Sequence, residues 1–419
     1  MGASVMTNFD TDVLVLGAGP AGSALAQQLA RAGFKVTLVD RKAFPREKPC
    51  GEFLSPQCRP YLVDLGVDGV LRALGTRTVH GMDLWRGERC APGRLLALPG
   101  APHGACGYAV RREVLDTELL RAACARPEVT WLERHEFRTA LRAADGTVTG
   151  AVLRDPERRE RAVRAAFVVG ADGVRSRLAH ELGLQRPLRW LDRLALVARF
   201  DGVPARDHAE VHFVDGGYFA ATTVDDGTFH LNLVVDRARL RDGNDDLDAF
   251  VAARLQHAPV LQQRLRAAVR SSPWRGTGPL AFATRRQALA GAALVGDACG
   301  YVDPLTGEGI YFALHGARSL TLALTQARSA PRTAAAALRG YERRRRQEIA
   351  PRLWLAALLQ RGLRHPAVVA RVLAVLAARP AVADLLITLT GDCVHPRDLL
   401  RPAFWRQWRQ ARRAAEVPA

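Results

Sequence analysis

The sequence predicts an α/β fold in which a parallel sheet is interrupted by an antiparallel sheet and followed by a C-terminal helical region. Three observations support this. Apolar runs rich in β-branched residues at 12–16, 166–169 and 293–295 each precede a glycine-containing turn, as buried parallel strands do. Residues from about 190 to 235 alternate between apolar and polar, which indicates antiparallel strands. From residue 309 onward the apolar residues recur with helical spacing.

The first element of the parallel sheet is a complete βαβ unit. Residues 12–16 (DVLVL) form a strand, Ser23–Arg31 a helix and Lys35–Val39 a second strand. The turn between strand and helix reads Gly17-Ala18-Gly19-Pro20-Ala21-Gly22, and Asp40 follows the second strand. In such a turn the first glycine permits the bend, the second lets the backbone approach a pyrophosphate and the third lets helix and strand pack closely. An acid at the position of Asp40 can bind ribose hydroxyls, so the unit predicts dinucleotide binding.

Two later segments repeat the strand-then-turn pattern. Gly170-Ala171-Asp172-Gly173 follows the strand Ala166–Val169, and Gly296-Asp297 follows the strand Ala293–Val295. Gly307-Glu308-Gly309-Ile310 then opens a helix, whose free backbone amides would favour an anionic ligand at its N-terminus. These segments place three ligand-binding turns at the ends of three parallel strands.

The intervening elements are predicted from periodicity and turn residues. Residues 44–60 carry too much proline and glycine for regular structure and predict an ordered loop. We expect helices at Val110–Cys124, Gly309–Arg328 and Ala334–Arg346. We expect Thr130–Arg134 and Val148–Arg154 to form a strand pair.

Composition narrows the functional classes. The chain has 419 residues, and its 60 Lys and Arg against 42 Asp and Glu give a net charge of +18. No nucleic-acid-binding motif accompanies this charge, so no nucleic-acid partner is expected. The seven cysteines are scattered without a CxxC pair, and no metal site is expected. Residues 1–10 lack a signal-peptide pattern, which predicts a cytoplasmic protein.

The three motifs in their order (GAGPAG, GADGVRS and GDACGYVDPLTGEGI) resemble those of the para-hydroxybenzoate hydroxylase-fold flavoproteins. Within that superfamily, Lys48–Glu52 (KPCGE) and the run from Gly300 to Ala313 are most similar to the geranylgeranyl reductase group. The resemblance covers about residues 11–330. It implies a Rossmann-type FAD-binding domain at 8–75, 105–186 and 276–330, an antiparallel-sheet substrate domain at 76–104 and 187–275, and a helical region at 331–419.

The resemblance also implies the residues that hold FAD, with Arg112 near the pyrophosphate and Asp297 on the ribitol. The expected cofactor-binding residues are Gly17, Gly19, Pro20, Ala21, Gly22, Asp40, Arg41, Cys50, Gly51, Arg112, Asp172, Gly296, Asp297, Gly307, Glu308, Gly309 and Ile310. Cys50 and Tyr218 are the candidate catalytic residues; the alternatives are a small packed side chain for Cys50 and sheet packing for Tyr218. Arg46 and Lys48 are interpreted either as solvated charges or as contacts to NAD(P)H phosphates.

Departures from the family patterns bear on the reaction. Gly300 stands where hydroxylases of this fold usually have His, and the Trp-x-Trp-x-Ile-Pro motif of flavin halogenases is absent. Geranylgeranyl reductases usually carry Tyr-x-Trp-x-Phe-Pro, of which Gly217–Thr222 keeps Tyr218 and loses the rest. The prediction is an NAD(P)H-driven monooxygenase hydroxylating a lipophilic aromatic, polyketide or isoprenoid substrate. The alternatives are a reductase of prenyl double bonds and a flavin electron-transfer protein.

The expected partners follow from the same features. A single dinucleotide motif predicts that NAD(P)H docks transiently as reductant. A lipophilic substrate is expected against the apolar sheet face of Leu194, Leu196, Phe213, Leu231 and Leu233. The basic run Arg343–Arg346 lies close to the apolar Leu353–Leu359, so peripheral membrane contact through the C-terminal helices is an open prediction.

Overall fold

A computed structural model describes residues 9–98, 105–225, 227–241, 246–330 and 333–416. Parts of the predicted domains, at residues 8, 99–104, 226, 242–245, 331–332 and 417–419, lie outside the described residues. The domain boundaries therefore stay a prediction, whereas the predicted fold class is confirmed by the arrangement of sheets and helices.

The strands are β1 (Thr11–Leu16), β2 (Val36–Asp40), β3 (Phe53–Leu54), β4 (Arg77–Val79), β5 (Gly81–Arg86), β6 (Arg89–Arg94), β7 (Gly107–Ala109), β8 (Val129–Glu133), β9 (Glu136–Arg142), β10 (Val148–Arg154), β11 (Glu160–Gly170), β12 (Gln185–Pro187), β13 (Arg193–Asp201), β14 (His208–Val214), β15 (Gly217–Thr223), β16 (Phe229–Asp236), β17 (Val269–Arg270), β18 (Arg275–Thr277), β19 (Phe282–Thr284), β20 (Ala288–Leu289), β21 (Ala292–Leu294) and β22 (Gly300–Tyr301).

The α-helices are α1 (Pro20–Arg31), α2 (Arg59–Asp64), α3 (Asp68–Ala73), α4 (Arg112–Cys124), α5 (Arg177–Glu181), α6 (Arg237–Arg241), α7 (Leu247–Leu255), α8 (Pro259–Arg264), α9 (Gly309–Ser329), α10 (Ala334–Glu348), α11 (Ala350–Leu363), α12 (Pro366–Ala378), α13 (Pro380–Thr390) and α14 (Pro402–Glu416). Short 3₁₀ turns occupy Pro56–Cys58, Gly296–Cys299, Pro304–Thr306 and Pro396–Leu400.

The parallel sheet has the order β20-β21-β11-β1-β2-β8, with β1 in its centre. Both faces of β1 are covered, which explains why its sequence is continuously apolar rather than alternating. Val13 and Val15 pack toward α1 and α9, whereas Leu14 and Leu16 pack toward the opposite layer with β10 and α5. The carboxyl ends of β1, β11 and β21 lead into the three predicted turns.

The predicted pairing of the strands near residues 130 and 148 is wrong. Strand β8 pairs with β2 in parallel, whereas β10 pairs with β9 and β11 in antiparallel register. Strand β9 was missed because its sequence, EFRTALR, has exposed and half-buried positions with little apolar alternation. Local patterns report the existence of strands better than their partners, which depend on long-range packing.

The second sheet has the order β17-β13-β16-β15-β14-β5-β6, and its pairings are antiparallel except between β5 and β14. One face of β13, β15 and β16 packs against α7 and α8, where Leu194, Leu196, Leu231 and Leu233 meet Phe250 and Leu261. The other face turns toward the parallel sheet. Because successive strand residues alternate faces, this division follows the even spacing of the leucines.

The C-terminal helices cover both sheets. Helix α9 packs on α1, α10 packs on α9, and α12 and α13 pack on the β5–β6 hairpin. Among the described residues, a membrane-crossing length of apolar helix is found in no single helix; α12 and α13 reach it only when taken together, across a bend of 113°.

Candidate functional site

A cavity of about 670 Å³ lies between the carboxyl ends of the parallel strands and the inner face of the second sheet. Ligands of open α/β sheets bind at this edge, where the turns after the strands converge. Residues from all three predicted turns line the cavity, among them Gly17, Asp172 and Asp297. The structure therefore brings together segments separated by more than a hundred residues in sequence.

The glycines of the first turn are required by close backbone approach. Gly17 has a φ of +107°, and a Cβ built on it would lie 2.6 Å from the carbonyl oxygen of Ala171. Gly19 lines the cavity together with Pro20 and Ala21. Gly22 lies behind the cavity wall, where a Cβ would come within 1.8 Å of the Gly17 carbonyl oxygen. Its place is the packing position expected of the third glycine, and it is not in contact with the cavity.

The acid after the second strand holds the first turn in shape. Asp40 Oδ2 accepts a hydrogen bond of 3.0 Å from the backbone N–H of Ala18, and its Oδ1 accepts one of 2.9 Å from Lys42. Asp40 and Arg41 both line the cavity. The Asp40 carboxylate therefore lies at the cavity edge, where the sequence predicts contact with the ribose.

Three cations, Arg46, Lys48 and Arg112, line the cavity beside the first and second turns. Arg112 forms a bidentate pair with Asp116, with two N–O distances of 2.8 Å. Arg46 lies 3.4 Å from Asp116 and 3.6 Å from Asp40, beside Gly19. Lys48 also lines the cavity, and burial together with Arg112 lowers its pKa. Positive charge next to free helix amides forms an anion site suited to a diphosphate.

Arg46 and Lys48 are site residues that the sequence reasoning undervalued. It predicted Arg112 but left the other two as solvated charges or nicotinamide contacts. The available signal was position: both follow Asp40 within a loop whose prolines, Pro45 and Pro49, restrict the backbone.

The far end of the cavity is formed by the third turn and by the loop around Cys50. Gly307, Gly309 and Ile310 line it, and α9 begins at Gly309 with its N-terminus directed at the cavity. Gly307 has a φ of +68°, and a Cβ there would lie 2.5 Å from the ring of Phe53. Cys50 and Gly51 line the same region, and the Cys50 thiol interacts with the Arg112 guanidinium.

Tyr301 is a further residue at this end that the sequence reasoning did not select. It lines the cavity, and burial, with Asp297 and Asp303 nearby, raises the pKa of its hydroxyl well above the ordinary value. It follows Gly300, where relatives of the hydroxylase type carry His. A protonated phenol therefore faces the cavity across the working pH range of most enzymes.

Tyr218 is placed away from the cavity, which corrects its selection as a candidate catalytic residue. Its side chain is fully buried, and its hydroxyl donates a hydrogen bond to Oδ1 of Asp303. Asp303 also accepts a 3.0 Å hydrogen bond from the backbone of Leu305, and it lies 3.8 Å from the buried Arg193. The Tyr218–Asp303–Arg193 cluster thus holds the Pro304–Thr306 turn against the second sheet.

Glu308 requires a similar correction. Its side chain points away from the cavity, to Arg352 at 3.7 Å on α11 and to Asp392 beyond it. Arg352 lies 2.6 Å from Asp392. Burial and the nearby Asp392 raise the pKa of Glu308 well above its ordinary value. The C-terminal helices are therefore attached to the third turn through a buried pair of acids and one arginine.

Gly296, another expected cofactor-binding residue, packs against Ala21 behind the cavity wall and does not line the cavity.

A second buried network joins the Cys50 loop to the second sheet. Glu52 adopts a φ of +55° and lies 2.7 Å from His230 on β16 and 3.2 Å from Arg199 on β13. Burial alone would raise the pKa of Glu52, but His230 and Arg199 lower it below its ordinary value. The loop is therefore anchored to the sheet by charge rather than by apolar packing, so apolar periodicity carries no signal for it.

The wall contributed by the second sheet is mainly apolar. Met82, Ala195, Val197, Val211, Ala220, Val234 and Leu280 line the cavity together with the polar Glu210, Thr222, Asn232 and Thr277. The sheet face expected to meet the substrate is therefore wrong for Leu194, Leu196, Leu231 and Leu233, which pack on α7 and α8. Phe213 lies on the cavity side of the sheet but in the core around Val211. Both faces of these strands are apolar, so alternation could not distinguish them.

The residues present fit an FAD molecule. The glycine turn leaves room for a diphosphate, because a Cβ at Gly17 or Gly22 would collide with the backbone around it, and the three cations that line the cavity match the charge of a diphosphate. Among the described residues, no group of three or more His, Cys, Asp or Glu side chains could hold a metal ion.

A pH-dependent prediction arises from the Asp303 cluster. Burial raises the pKa of Asp303 from 3.8 to about 6, so ionising it in the folded protein costs free energy. Below pH 3.8, the pKa of Asp303 in the unfolded chain, the carboxyl is protonated in both states and this cost is absent. The cost grows as the pH rises from 3.8 to about 6, and above about 6 it reaches its full value of ~3 kcal/mol. We expect the wild type to lose about that much stability relative to Asp303→Asn as pH rises through this window, measured by urea unfolding at each pH.

The Asp236→Asn variant is the matched control, because Asp236 contacts the same Arg193 at 3.3 Å from a more exposed position. A difference between wild type and Asp303→Asn that stays constant with pH would contradict the assignment.

Comparison with known proteins gives a consistent pattern. Residues 10–353 match the family model described as an FAD binding domain. The chain is 31% identical over 80% of its length to digeranylgeranylglycerophospholipid reductase 2 of Methanopyrus kandleri, covering 82% of that protein. It is 30% identical over 73% of its length to the menaquinone reductase of Mycobacterium tuberculosis, covering 74% of that protein. It is 29% identical to conditioned medium factor receptor 1 of Dictyostelium discoideum over 75% of this chain, and spans only 63% of that protein.

Solved structures show the same fold. The myxobacterial chondrochloren halogenase superposes with a TM-score of 0.79 at 23% identity, covering 98% of each chain. A flavin-dependent brominase superposes with a TM-score of 0.80 at 20% identity, covering 97% of this chain and 98% of its own. At these identities the likeness extends to the fold, including the C-terminal helices beyond residue 353.

Proposed function

Because the chain belongs to the FAD binding domain family and is an FAD-dependent oxidoreductase of the para-hydroxybenzoate hydroxylase-fold superfamily, we propose that it is an NAD(P)H-driven monooxygenase. Its proposed substrate is a lipophilic molecule with a ring system, held between the third turn and the second sheet. Reductases and halogenases are both found among its relatives, so the argument for this reaction rests on the cavity itself.

The observation that supports this substrate lies on β15. In the reductase motif Tyr-x-Trp-x-Phe-Pro, aligned on Tyr218, the Trp and Phe positions correspond to Ala220 and Thr222. Both residues line the cavity. Two of the three motif positions at which this chain departs from the prenyl reductases, Ala220 and Thr222, therefore belong to the substrate wall. Small side chains there leave room for a ring, and electron-rich rings are common acceptors of an oxygen atom in flavin chemistry.

The proposed FAD would be held by the anion site of Arg46, Lys48 and Arg112, with Asp40 at the ribose and Asp297 at the ribitol. When bound, FAD would supply electron transfer from a nicotinamide and activation of oxygen. The protein's own contribution is binding and environment. The α9 N-terminus directs partial positive charge toward the ring end of the cavity, which stabilises negative charge developing there.

Exclusion of water is the second contribution of the protein. The substrate wall is lined mainly by Ala and Val, and its uncharged polar residues Thr222, Asn232 and Thr277 can orient a substrate oxygen. The Tyr218–Asp303–Arg193 cluster acts as a positioning group, because it holds the Pro304–Thr306 turn on which the ring end depends. A rigid cavity that excludes water from the reacting groups prevents water from intercepting the activated oxygen before it reaches the substrate.

The proposed reductant is NAD(P)H that binds transiently. The sequence carries one GxGxxG motif, and its residues Gly17, Gly19, Pro20 and Ala21 line the cavity assigned to FAD. A nicotinamide cofactor would therefore approach the flavin from the same cavity and leave before the substrate reacts.

The second candidate is reduction of an isoprenoid double bond. It is favoured by the 31% and 30% identity to relatives named as reductases of a digeranylgeranyl lipid and of menaquinone. That reaction needs a proton donor near the substrate, and the Cys50 thiol and the Tyr301 hydroxyl both line the cavity. Burial, with Asp297 nearby, raises the pKa of Tyr301 well above its ordinary value and makes it a weak acid, so Cys50 is the group to test first.

The purified flavoprotein, reduced anaerobically with NADPH, separates the candidates. Admission of oxygen with a panel of ring-containing and isoprenoid lipids should give a product heavier by one oxygen atom. A product with two added hydrogens, formed without oxygen and lost in Cys50→Ser, would replace the proposal with the reductase. If no substrate changes the rate at which the reduced flavin is reoxidised, but a protein acceptor reoxidises it rapidly, the chain would be an electron-transfer protein.

The shape of the substrate wall gives a further prediction. We expect Ala220→Trp to bind FAD normally but to lose turnover of a ring substrate by at least about tenfold, because the indole fills the space beside Thr222. Steady-state kinetics with the identified substrate and the flavin absorbance of the purified variant measure the two effects. Ala220→Ser is the control, since it adds one atom and should retain activity. Equal turnover by Ala220→Trp would refute the assigned wall.

A further inference from the structure

Two neighbouring C-terminal helices, α11 and α12, expose several large apolar side chains. We define the outer face by Trp354 and Leu358 on α11 and by Val368, Val372 and Val375 on α12. Trp354 is 64% exposed, and the three valines are 44–49% exposed. The spacing of i, i+4 and i+7 along α12 places the valines on one side of the helix.

Helix α12 is apolar on both sides, which is unusual for a helix at a protein surface. Its inner residues Val369, Leu373 and Leu376 are buried, and Arg371 is the only charged residue among its 13 positions. An apolar helix of this kind is normally covered on all sides, and a rimmed apolar surface marks a binding face.

The charge around the outer face has one sign. Arg361, Arg364, Arg371 and Arg379 are exposed, and within the described ranges none of them is paired with a carboxylate. The acidic residues between positions 349 and 397 are Asp384 and Asp392, and both are buried. The outer face is therefore apolar at its centre, with exposed positive charge at its edges; Arg361 and Arg364 also contact Trp190.

We propose that the outer face docks on an anionic lipid surface. The apolar side chains would enter the interface while the arginines bind lipid phosphates, each contributing about 1 kcal/mol at low salt. A second copy of this chain is a poorer occupant, because a symmetric contact would bring two sets of these arginines together without exposed carboxylates between them. This proposal gives the protein a membrane partner, and it holds whether the enzyme hydroxylates a ring or reduces a double bond.

Helix α12 packs close to the substrate wall, so membrane docking would bring a lipophilic substrate near its binding site. This link rests on the proposed function. Leu373 and Leu376 pack in the same core as Ala195, Val211 and Leu280, which line the cavity. Helix α12 thus packs on the β5–β6 hairpin and shares an apolar core with residues of the substrate wall. A substrate dissolved in the bilayer would be concentrated on the side of the protein where this core lies.

The structure also changes which residues carry the predicted membrane contact. The basic run Arg343–Arg346 does not form one exposed face, because Arg345 is buried and Arg344 donates hydrogen bonds to Ser319. The arginines of α11 and α12 take its place.

Vesicle flotation with the FAD-loaded full chain tests the proposal. Mixed phosphatidylcholine–phosphatidylglycerol vesicles should carry the protein, pure phosphatidylcholine vesicles should carry little, and added salt should release it. The double variant Val372→Asp, Val375→Asp should bind at least about tenfold more weakly. Val269→Asp is the matched control, because Val269 is a 69% exposed valine on β17, and it should bind like the wild type.

Circular dichroism and flavin content establish that each variant is folded, and Arg371→Glu with Arg379→Glu provides a second test if the aspartates disturb folding. Failure of the wild type to float with anionic vesicles would overturn the proposal, as would unchanged binding by the folded double variants. A dimer in light scattering that Val372→Asp, Val375→Asp dissociates would assign the face to a second copy instead. None of these outcomes depends on which reaction the enzyme catalyses. A failure of membrane docking can therefore be distinguished from a failure of the proposed monooxygenase function.

Discussion

Gly22→Ala is expected to give a protein without bound flavin and with stability lowered by more than about 3 kcal/mol. A Cβ at this position would lie 1.8 Å from the Gly17 carbonyl oxygen and 3.2 Å from the Ala171 side chain. Both neighbours belong to ligand-binding turns, so the contact can be relieved only by moving α1 away from β1. That movement would displace the amides that face the diphosphate, although Gly22 itself does not line the cavity.

The measurement is the ratio of flavin absorbance to protein in the purified variant, together with urea unfolding. Gly69→Ala is the matched control: Gly69 lies in α3, and a Cβ there meets nothing within 4 Å. It should retain FAD and be equal to or slightly more stable than the wild type, because alanine favours a helix. A yellow, stable Gly22→Ala protein would show that the tight strand–helix packing is not needed for the site.

Arg112→Ala is expected to lower FAD affinity at least about a hundredfold and to cost ~3–5 kcal/mol of stability. The reason is that Asp116 is fully buried and would lose both of its 2.8 Å hydrogen bonds to the guanidinium. Arg46, at 3.4 Å from Asp116, would be drawn further toward this carboxylate and away from the diphosphate. One substitution therefore removes a cation from the anion site and redirects a second.

Titration of the apoprotein with FAD and urea unfolding measure these two effects. Arg112→Lys should fall between wild type and Arg112→Ala, since lysine restores charge without the bidentate geometry. Arg121→Ala on the same helix is the control, because the Arg121 side chain is 69% exposed and water screens its pair with Glu118, which should be worth less than about 1 kcal/mol. Wild-type FAD affinity in Arg112→Ala would contradict the placement of the diphosphate.

The cofactor end of the cavity was largely predictable from the sequence. Gly17, Gly19, Asp40, Asp172, Asp297 and Gly309 all line the cavity that their motifs predicted, although their contacts to FAD stay predictions. The motifs are readable because each is a short turn after an apolar strand, and the constraint on its glycines arises from residues close by or from the adjacent strand. Arg46 and Lys48 were harder to identify because a charged side chain has no periodic signature.

The substrate end was not predictable in the same way. Tyr218 and Leu233 lie on opposite faces of the second sheet. Both faces of β15 and β16 are apolar, so the alternation of residues does not indicate which face meets the cavity. Glu308 lies between two cavity-lining glycines, yet its side chain turns toward Arg352, a residue 44 positions later. Such choices depend on partners that come from distant parts of the chain.

The sequence by itself determined the α/β architecture, the three ligand-binding turns and the flavin class, because strand burial and glycine turns are governed by local backbone geometry. The tertiary structure decided which sheet face forms the substrate wall, which charges form the anion site and which helix face is left apolar and exposed. Those properties depend on how separate elements pack, since a side chain acquires a partner, or remains without one, only when distant segments meet.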